Sequence, residues 1–521
     1  MLVARLALLL AAVVDAATLS KVERTLELEH NDFEVEKVQL HLHADSEAVS
    51  EVELLLPANR VEHLSYQSLK QNGKSLVLQE MEPPALPAEA PAEVVEMYAA
   101  LPRVYRAALH APVEKGGSTS LKLHRISTHV LQPKPLHVAQ TERQNVAFEG
   151  DALFLSSYAV ATQSTEIKLR ATKNKILSHT EIASKTKVSD RRIRYGAFDD
   201  VGGFDVSAAR TALLEAVKAS AKERSRTVRE IKGRLRSEPV HVHAQHDAAF
   251  VTFDSAVVEY EVSHWGNVAV TSLIDVSNKG AKLDKGYQRH QAHSMQSIMR
   301  HRATKEELRE GNEFRLLSTQ LPTLANDVWL RDRIGNISSS HLQPTSDVRK
   351  KDKGRRFDIF LRYPLFGGWK ADLQYGYDTP IEQFVAFDTD SNEYVFRAKF
   401  GVPFDAVVDA AEVRVVLPEG ATDVRVHTPQ SLNPVHTDFT RKFSYLDFLE
   451  GRPVVVLTKS NVVSRHAKLA DVEIRYRFAQ WQMLREPMLL ATIFGSLFLA
   501  VLAFGRMKLS FSGEKPKLKI D

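Results

Sequence analysis

Eighteen consecutive residues near the C-terminus, Met488 to Gly505 (MLLATIFGSLFLAVLAFG), carry no charge. As a helix rising 1.5 Å per residue the run covers ~27 Å, enough for a thin bilayer. Leu, Phe and Ala occupy every face, so it is not an amphipathic surface helix. Pro487 suits the first turn, where an N–H has no intrahelical partner. Arg506 and Lys508 follow at once, and positive charge beside a span belongs in the cytosol. The residues before the span are therefore expected on the lumenal side.

The N-terminus fits that topology. Met1-Leu-Val-Ala-Arg5, the uncharged run Leu6 to Val14 and a Val14-x-Ala16 cleavage pattern describe a secretory signal peptide over residues 1–16. Nine apolar residues rise only ~14 Å, about half a bilayer core, so the segment is not an anchor. The last five residues form K-x-K-x-x, with Lys517 and Lys519. This resembles the dilysine tail that returns membrane proteins to the endoplasmic reticulum. A single-pass type I protein of that membrane is expected.

Most of the lumenal chain alternates with period two. Val35–Leu42, Glu51–Leu56, Phe148–Leu155, Thr165–Leu169, Phe250–Val262, Glu412–Leu417, Pro453–Leu457 and Val472–Phe478 read as strands. No regular strand–helix alternation appears, which disfavours a parallel doubly wound sheet. The expected fold is mainly β: two tandem antiparallel β-sandwich-like lumenal domains and one C-terminal transmembrane helix. Glu51-Val-Glu-Leu-Leu-Leu-Pro57 and Glu412-Val-Arg-Val-Val-Leu-Pro418 look like an internal echo, consistent with duplication. Between the halves, Val206–Arg236 places Leu214, Val217, Ala221, Val228, Ile231 and Leu235 at helical spacing. A second basic helical stretch is expected over Gln291–Glu310, and prolines 83, 84, 87 and 91 mark a loop. The expected divisions are 1–16 signal peptide, 17–205 first β domain and 206–237 basic helical linker or insertion. They continue as 238–486 second β domain, 487–505 transmembrane helix and 506–521 cytosolic tail.

Charge is uneven. The chain has 69 basic and 65 acidic residues, a net of +4. Val206–Arg236 holds nine basic and three acidic residues, and residues 506–521 hold five and two. The remainder is 55 − 60 = −5, a mildly acidic body for which nucleic acid is no expected partner. The basic segment points to an acidic neighbour or lipid headgroups. The absence of cysteine excludes a disulfide scaffold, thiol chemistry and a Cys-ligated metal.

Catalytic signals are thin. His241-x-His243 with His246 could ligate a metal, yet no carboxylate cluster accompanies them and a solvated strand face explains them as well. His41-x-His43 merely alternates with leucines. Asp388-x-Asp390 resembles a glycosyltransferase D-x-D but sits in a polar loop without a nucleotide-binding βαβ unit, so a surface turn is the plainer reading. H-E-x-x-H, G-x-S-x-G, the Walker loop and G-x-G-x-x-G are all missing. No catalytic, cofactor-binding or metal residue is assigned, and no cofactor is expected. Asn336-Ile-Ser338 is the one N-x-S/T sequon and, beside Gly335 and two serines, an expected glycosylation site. Arg349–Arg356, once lumenal, is read as a solvated loop.

Longer segments are more specific. Glu261-Val-Ser-His264-Trp265-Gly266-Asn267, Arg331-Asp332-Arg-Ile-Gly-Asn336-Ile-Ser-Ser-Ser-His-Leu342 and Tyr363-Pro364-Leu-Phe-Gly367-Gly368-Trp369-Lys370 occur in that order. Val416–Gly420, Tyr445-Leu-Asp447 and Gly451–Val454 follow, and Phe148-Glu-Gly150, Tyr158 and Thr162-Gln163 mark the first half. Their order and spacing resemble ribophorin I, the subunit 1 family of the oligosaccharyltransferase complex. The resemblance runs from Val35 to the span. It implies a non-catalytic subunit of the enzyme that moves a preassembled glycan from dolichyl diphosphate to Asn in nascent Asn-x-Ser/Thr. It implies as partners the other subunits, including a polytopic catalytic one, with the translocon and nascent polypeptide beside them. One span cannot build an intramembrane donor pocket, which agrees.

Three departures stand out. Many family members carry a long cytosolic domain, whereas sixteen residues follow the span here. The basic stretch Val206–Arg236 looks like extra material. Arg333 stands where an acidic residue would be expected. Gly367-Gly368 before Trp369 suits a sharp turn or bulge that lets the backbone approach closely while the indole packs, and Trp265 before Gly266-Asn267 suits a strand ending in a type I′ or II turn; a sugar-stacking platform is the sharper alternative. A lumenal glycan- or cargo-binding receptor remains the competing function, and a hydrolase a distant third.

Overall fold

Alternation is what the chain builds on. In the computed structural model the described residues are 17–506, without 30, 141, 171–174, 183–184, 236, 247, 289–311, 344–353, 430–431, 433, 444–449 and 470. The signal peptide, the 291–310 stretch, most of Arg349–Arg356, Tyr445–Asp447, Lys517 and Lys519 lie outside them. The fold is mainly β, in seven sheets among the described residues, with one long C-terminal helix.

The sheets come in matched sets. From edge to edge the first large sheet runs Thr186–Ser189, Arg192–Val201, Val160–Leu169, Ala17–Leu28, Phe33–Ala44, Ser118–Thr128, Leu64–Gln71 and Lys74–Leu76. The second runs His436–Lys442, Arg452–Val463, Val407–Val416, Val251–Ser263, Asn267–Asn278, Lys370–Pro380 and Asn326–Asp332. Seven strands correspond one to one, in the same chain order. Each large sheet is antiparallel except for one central pair: Ala17–Leu28 lies parallel to Val160–Leu169, and Val251–Ser263 to Val407–Val416.

The smaller sheets repeat the correspondence. Val49–Leu56, Arg103–Val113 and Gln79–Met81 match Phe314–Leu321, Arg355–Leu365 and Ser340–Leu342. Leu131–Pro133, Gln144–Asp151, Pro239–His246 and Ile176–His179 match Val385–Asp388, Glu393–Lys399, Asp471–Arg477 and Thr422–His427. The chain is thus a tandem repeat, each unit with its own large core. The echo seen in the sequence is not the carrier. Glu51–Leu56 lies in a three-stranded sheet and Glu412–Val416 in a seven-stranded one, at non-corresponding places. Pro239–His246, on the C-terminal side of the expected division at 238, is hydrogen-bonded to Gln144–Asp151 of the first repeat.

The basic segment forms two helices, Val206–Ala216 and Ala221–Arg234. Asp205 caps the first through the Ser207 and Ala208 amides. Ser220 and Glu223 form a reciprocal capping box that starts the second. Both pack with Ala92–Ala100, so that Leu55, Val94, Met97, Val104, Phe204, Leu213 and Ile231 make a third core. The apolar spacing continues across the break; the box, not the periodicity, divides the segment.

The two repeats meet along apolar and polar contacts. Val35 and Ile126 of the first pack on Val407 and Val463 of the second, flanked by Phe33 and Tyr66. His137–Val138 pairs in parallel with Lys282–Leu283. The Asn31 side-chain amide donates to the Asp405 carbonyl (2.7 Å), and that of Asn461 to the Glu62 carbonyl (2.6 Å).

Candidate functional site

The motif residues fall into three groups. His264, Trp265 and Gly266 form the tip of the hairpin between Val251–Ser263 and Asn267–Asn278, with Ser263 paired to Asn267. Gly266 has φ +119°, a conformation that excludes most L side chains. The His264 ring stacks on Phe478 at 4.3 Å and 8° and reaches the Tyr476 hydroxyl at 3.0 Å. Burial pushes its pKa down to about 4, so the imidazole is neutral. Trp265 does not pack: it is 63% exposed.

Arg331, Asp332 and Asn336 lie on one turn. Asp332 accepts from the Ile334 and Gly335 amides and takes both prongs of Arg362, at 2.6 and 3.0 Å. The Arg362 guanidinium holds the Asp332 carboxyl below the usual range. Arg331 lies 5.0 Å over Trp329 and bridges to Asn336, an exposed residue. Arg333 points into solvent, 3.8 Å from Asp372.

Pro364, Gly367, Gly368 and Trp369 sit at the other end, against the junction of the repeats. A Cβ on Gly367 would lie 2.1 Å from the Ala281 carbonyl oxygen, so only glycine fits. The Gly368 amide donates to the Asn278 carbonyl at 2.7 Å. Trp369 is half-buried among Tyr287, Tyr363 and Phe366. The Asn278–Leu283 segment beneath pairs with the first repeat through Lys282, whose amide donates to the Leu136 carbonyl. The aromatic turn therefore props the inter-repeat junction, and the three motif groups do not converge on one pocket.

The histidine cluster does not converge either. His241 and His243 face outward, whereas His246 is buried on the opposite face against Phe250. Asp388 accepts from the Asp390 amide and the Ser391 hydroxyl, which makes it the cap of a hairpin turn.

Each repeat encloses a cavity in the same place. The first, about 590 Å³, is lined by Arg24, Glu34, Glu36, Leu55, Arg125 and Phe154 among others. The second, about 760 Å³, is lined by Val258, Tyr260, Val270, Leu321, Tyr375 and Tyr377 among others. Counted from the first inward pair of each hairpin, Leu28–Glu34 and Val262–Val268, four positions correspond. Arg24, Glu34, Glu36 and Arg125 stand where the second repeat has Val258, Val268, Val270 and Tyr377.

That ionic cluster has no counterpart among the residues singled out in the sequence. Arg24 reaches Glu36 at 2.6 Å and the Asp151 carbonyl at 2.8 Å. Arg125, 2% exposed, donates to Gln67 and to the Leu55 carbonyl, with Glu36 at 3.7 Å. Burial alone would raise Glu36, but Arg24 and Arg125 bring its carboxyl below the ordinary value. Among the described residues Glu34 is ion-paired with Arg60 alone, at 3.1 Å, and one of its buried oxygens has no hydrogen-bond partner; burial pushes its carboxyl up. The one available signal is a phase slip: Val35 and Val38 are both apolar but lie on opposite faces, which turns Glu34 and Glu36 inward.

The repeat architecture, the placed motifs and a terminal helix that is long and apolar enough to cross a membrane define a class: a tandem-β protein with one candidate membrane-spanning helix. The Ribophorin I family model matches residues 17–505, and the chain belongs to that family. It is 31% identical to dolichyl-diphosphooligosaccharide–protein glycosyltransferase subunit 1A of Arabidopsis thaliana, over 99% of this chain and 74% of the relative. Against subunit 1 of Caenorhabditis elegans identity is 32%, over 80% and 61%. Among solved structures, an M1 zinc metallopeptidase from Deinococcus radiodurans aligns at 9% identity and TM-score 0.23, over 55% of this chain and 53% of that one.

Proposed function

We propose that this chain is a non-catalytic subunit of an oligosaccharyltransferase complex in the endoplasmic reticulum membrane. There it holds the lumenal assembly together beside the polytopic catalytic subunit and helps present acceptor chains near the translocon. The observation that carries this reading is the match to the family over residues 17–505, with relatives named as subunit 1 of that transferase. One feature supports the scaffold part. The family motifs lie in turns and at the repeat junction rather than around one pocket.

Division of the lumenal part belongs to the same reading. We place the boundary between repeats at residues 247–250, just after Pro239–His246, with the helical segment as an insertion into the first repeat. Asn336 is the proposed glycan acceptor; its exposure on a turn supports this. Depletion of the protein followed by sequon-occupancy analysis of secreted glycoproteins tests the function. Under-occupied sequons are expected; full occupancy contradicts it. The competing receptor reading rests on exposed Trp265 and predicts that the lumenal part binds glycans on an array, with binding lost in Trp265→Ala.

A further inference from the structure

One end of the second repeat gathers segments from four parts of the chain. The hairpin tip is tied to the chain just before the span by the His264–Phe478 stack. Arg452 donates to the carbonyls of Val262 and Leu417. Gln482 donates to the Gly420 carbonyl at 2.9 Å, and Arg485 reaches Glu450 at 2.9 Å and Glu419 at 3.7 Å. Residues 262–266, 417–420, 450–452 and 478–485 thus share one end, and the terminal helix Arg485–Arg506 leaves from it.

The link from body to helix is short and structured. Strand Asp471–Arg477 leads through Phe478 and Ala479 into a 3₁₀ helix, Gln480–Leu484, and then directly into the terminal helix. From Trp481 to Met488, the start of the uncharged run, is seven residues, about 10 Å of rise. Trp481 is therefore at headgroup depth when the helix spans. It is 60% exposed, and Leu484 is also exposed. Trp265 is the neighbour of His264, whose ring lies on Phe478, only three residues before Trp481.

We propose that Trp265 is a second membrane-interface anchor: together with Trp481 it rests in the headgroup layer of a phospholipid bilayer and fixes the tilt of the lumenal body relative to the span. The inference rests on the terminal helix being a membrane span. Indole rings are favoured at that depth because they combine an apolar body with a polar N–H. Trp265 projects from a glycine-shaped hairpin tip at the end from which the terminal helix leaves. Most charged groups at this end are paired, Arg485 with Glu419 and Glu450, Arg452 with Glu261, and Lys442 with Glu259, and the exposed Glu382 beside the tip is acidic. The contact is therefore aromatic rather than charge-driven and requires no anionic lipid. One point of attachment leaves a body free to lean; two points, on elements over two hundred residues apart in sequence, define an orientation.

The native chain has no cysteine, so single labelling sites can be added to it. Trp265→Cys, Trp481→Cys and Ile334→Cys, each in the full chain, are spin-labelled and reconstituted in phosphatidylcholine vesicles. Ile334 is 74% exposed on the Asp332–Asn336 turn and serves as the aqueous reference. Accessibility to oxygen relative to a water-soluble nickel chelate is expected to be about threefold higher at 265 and 481 than at 334. The ratio at 265 should stay unchanged when a fifth of the lipid is phosphatidylserine. A ratio at 265 equal to that at 334, with 481 still at the interface, overturns the proposal. As a check on the intact indole, acyl-brominated phosphatidylcholine is expected to quench a larger fraction of the Trp fluorescence of a Trp481→Phe chain than of a Trp265→Phe, Trp481→Phe chain, in which only Trp329 and Trp369 remain. Equal quenching also overturns it. The same labelling in the native complex separates lipid from protein: nickel and oxygen both excluded at 265 would mean that another subunit covers it and would contradict the anchor.

Discussion

His129 of the first repeat places its Nε2 2.8 Å from an Asp409 carboxylate oxygen of the second. Its Nδ1 lies 3.3 Å from Asp32, whose other oxygen accepts from the Leu131 amide at 2.7 Å. His129 and Asp32 both have positive φ, 55° and 57°, so two tight turns are held in register by one imidazole. Lys279 completes the group at 2.6 Å from Asp409.

Hydrogen bonds to Asp32 and then Asp409 push His129 up to about 9, from 6.5 when unfolded. A raised pKa means the bound proton stabilises the fold. That contribution is full below about pH 6.5 and is lost as pH rises through about 9. His129→Gln is expected to cost on the order of 2 kcal/mol at pH 7 and much less at pH 10. Urea unfolding of the detergent-solubilised chain at the two pH values checks it. An equal loss at both would mean that the charge on His129 does not matter.

Glu34 and Glu36, two residues apart on one strand face, should respond in opposite directions. Glu36 is paired with two guanidinium groups, and Glu36→Gln is expected to destabilise by about 3 kcal/mol because it leaves buried cations unmatched. Glu34 is held in a cavity with one oxygen unbonded, and Glu34→Gln should be neutral or stabilising by about 1 kcal/mol. Thermal melts of the two variants decide; losses of the same size in both would refute the assignment.

Gly367→Ala places a methyl against the Ala281 carbonyl and should cost about 3 kcal/mol or more, since backbone must move on both sides. Gly233 is the counterexample. It lies within helix Ala221–Arg234, and no neighbouring atom comes within 4 Å of the position an added methyl would take. Gly233→Ala should therefore stabilise by about 0.5–1 kcal/mol. Calorimetry on both tests whether the glycine of the aromatic turn is required by close approach.

Much of this fold is legible in the sequence because local rules carry it. Alternation marks the strands, and eighteen uncharged residues mark the terminal helix. The strand partners are not legible, because pairing is decided by neighbours far along the chain: Ala17–Leu28 lies beside Val160–Leu169, over 130 residues away. The sequence echo falls on the wrong segments for the same reason, since short alternating strands ending in proline look alike wherever they sit. The break at Ser220 has a local signature, Ser-x-x-Glu, masked by a persuasive apolar spacing. Among candidate residues, Gly266 takes a positive φ at its hairpin tip, and Gly367 is held to glycine by close approach of the Ala281 carbonyl. The His129 bridge has no sequence signal, because Asp32, His129 and Asp409 meet only in three dimensions.

The scaffold role is tested most directly by gentle isolation of the detergent-solubilised native protein, tagged at its C-terminus, with every co-purifying polypeptide identified by mass spectrometry. A stoichiometric complex that contains a polytopic oligosaccharyltransferase catalytic subunit and transfers glycan to an Asn-x-Ser/Thr peptide is expected. Recovery of the protein intact and alone, or with partners that lack that activity, would contradict it.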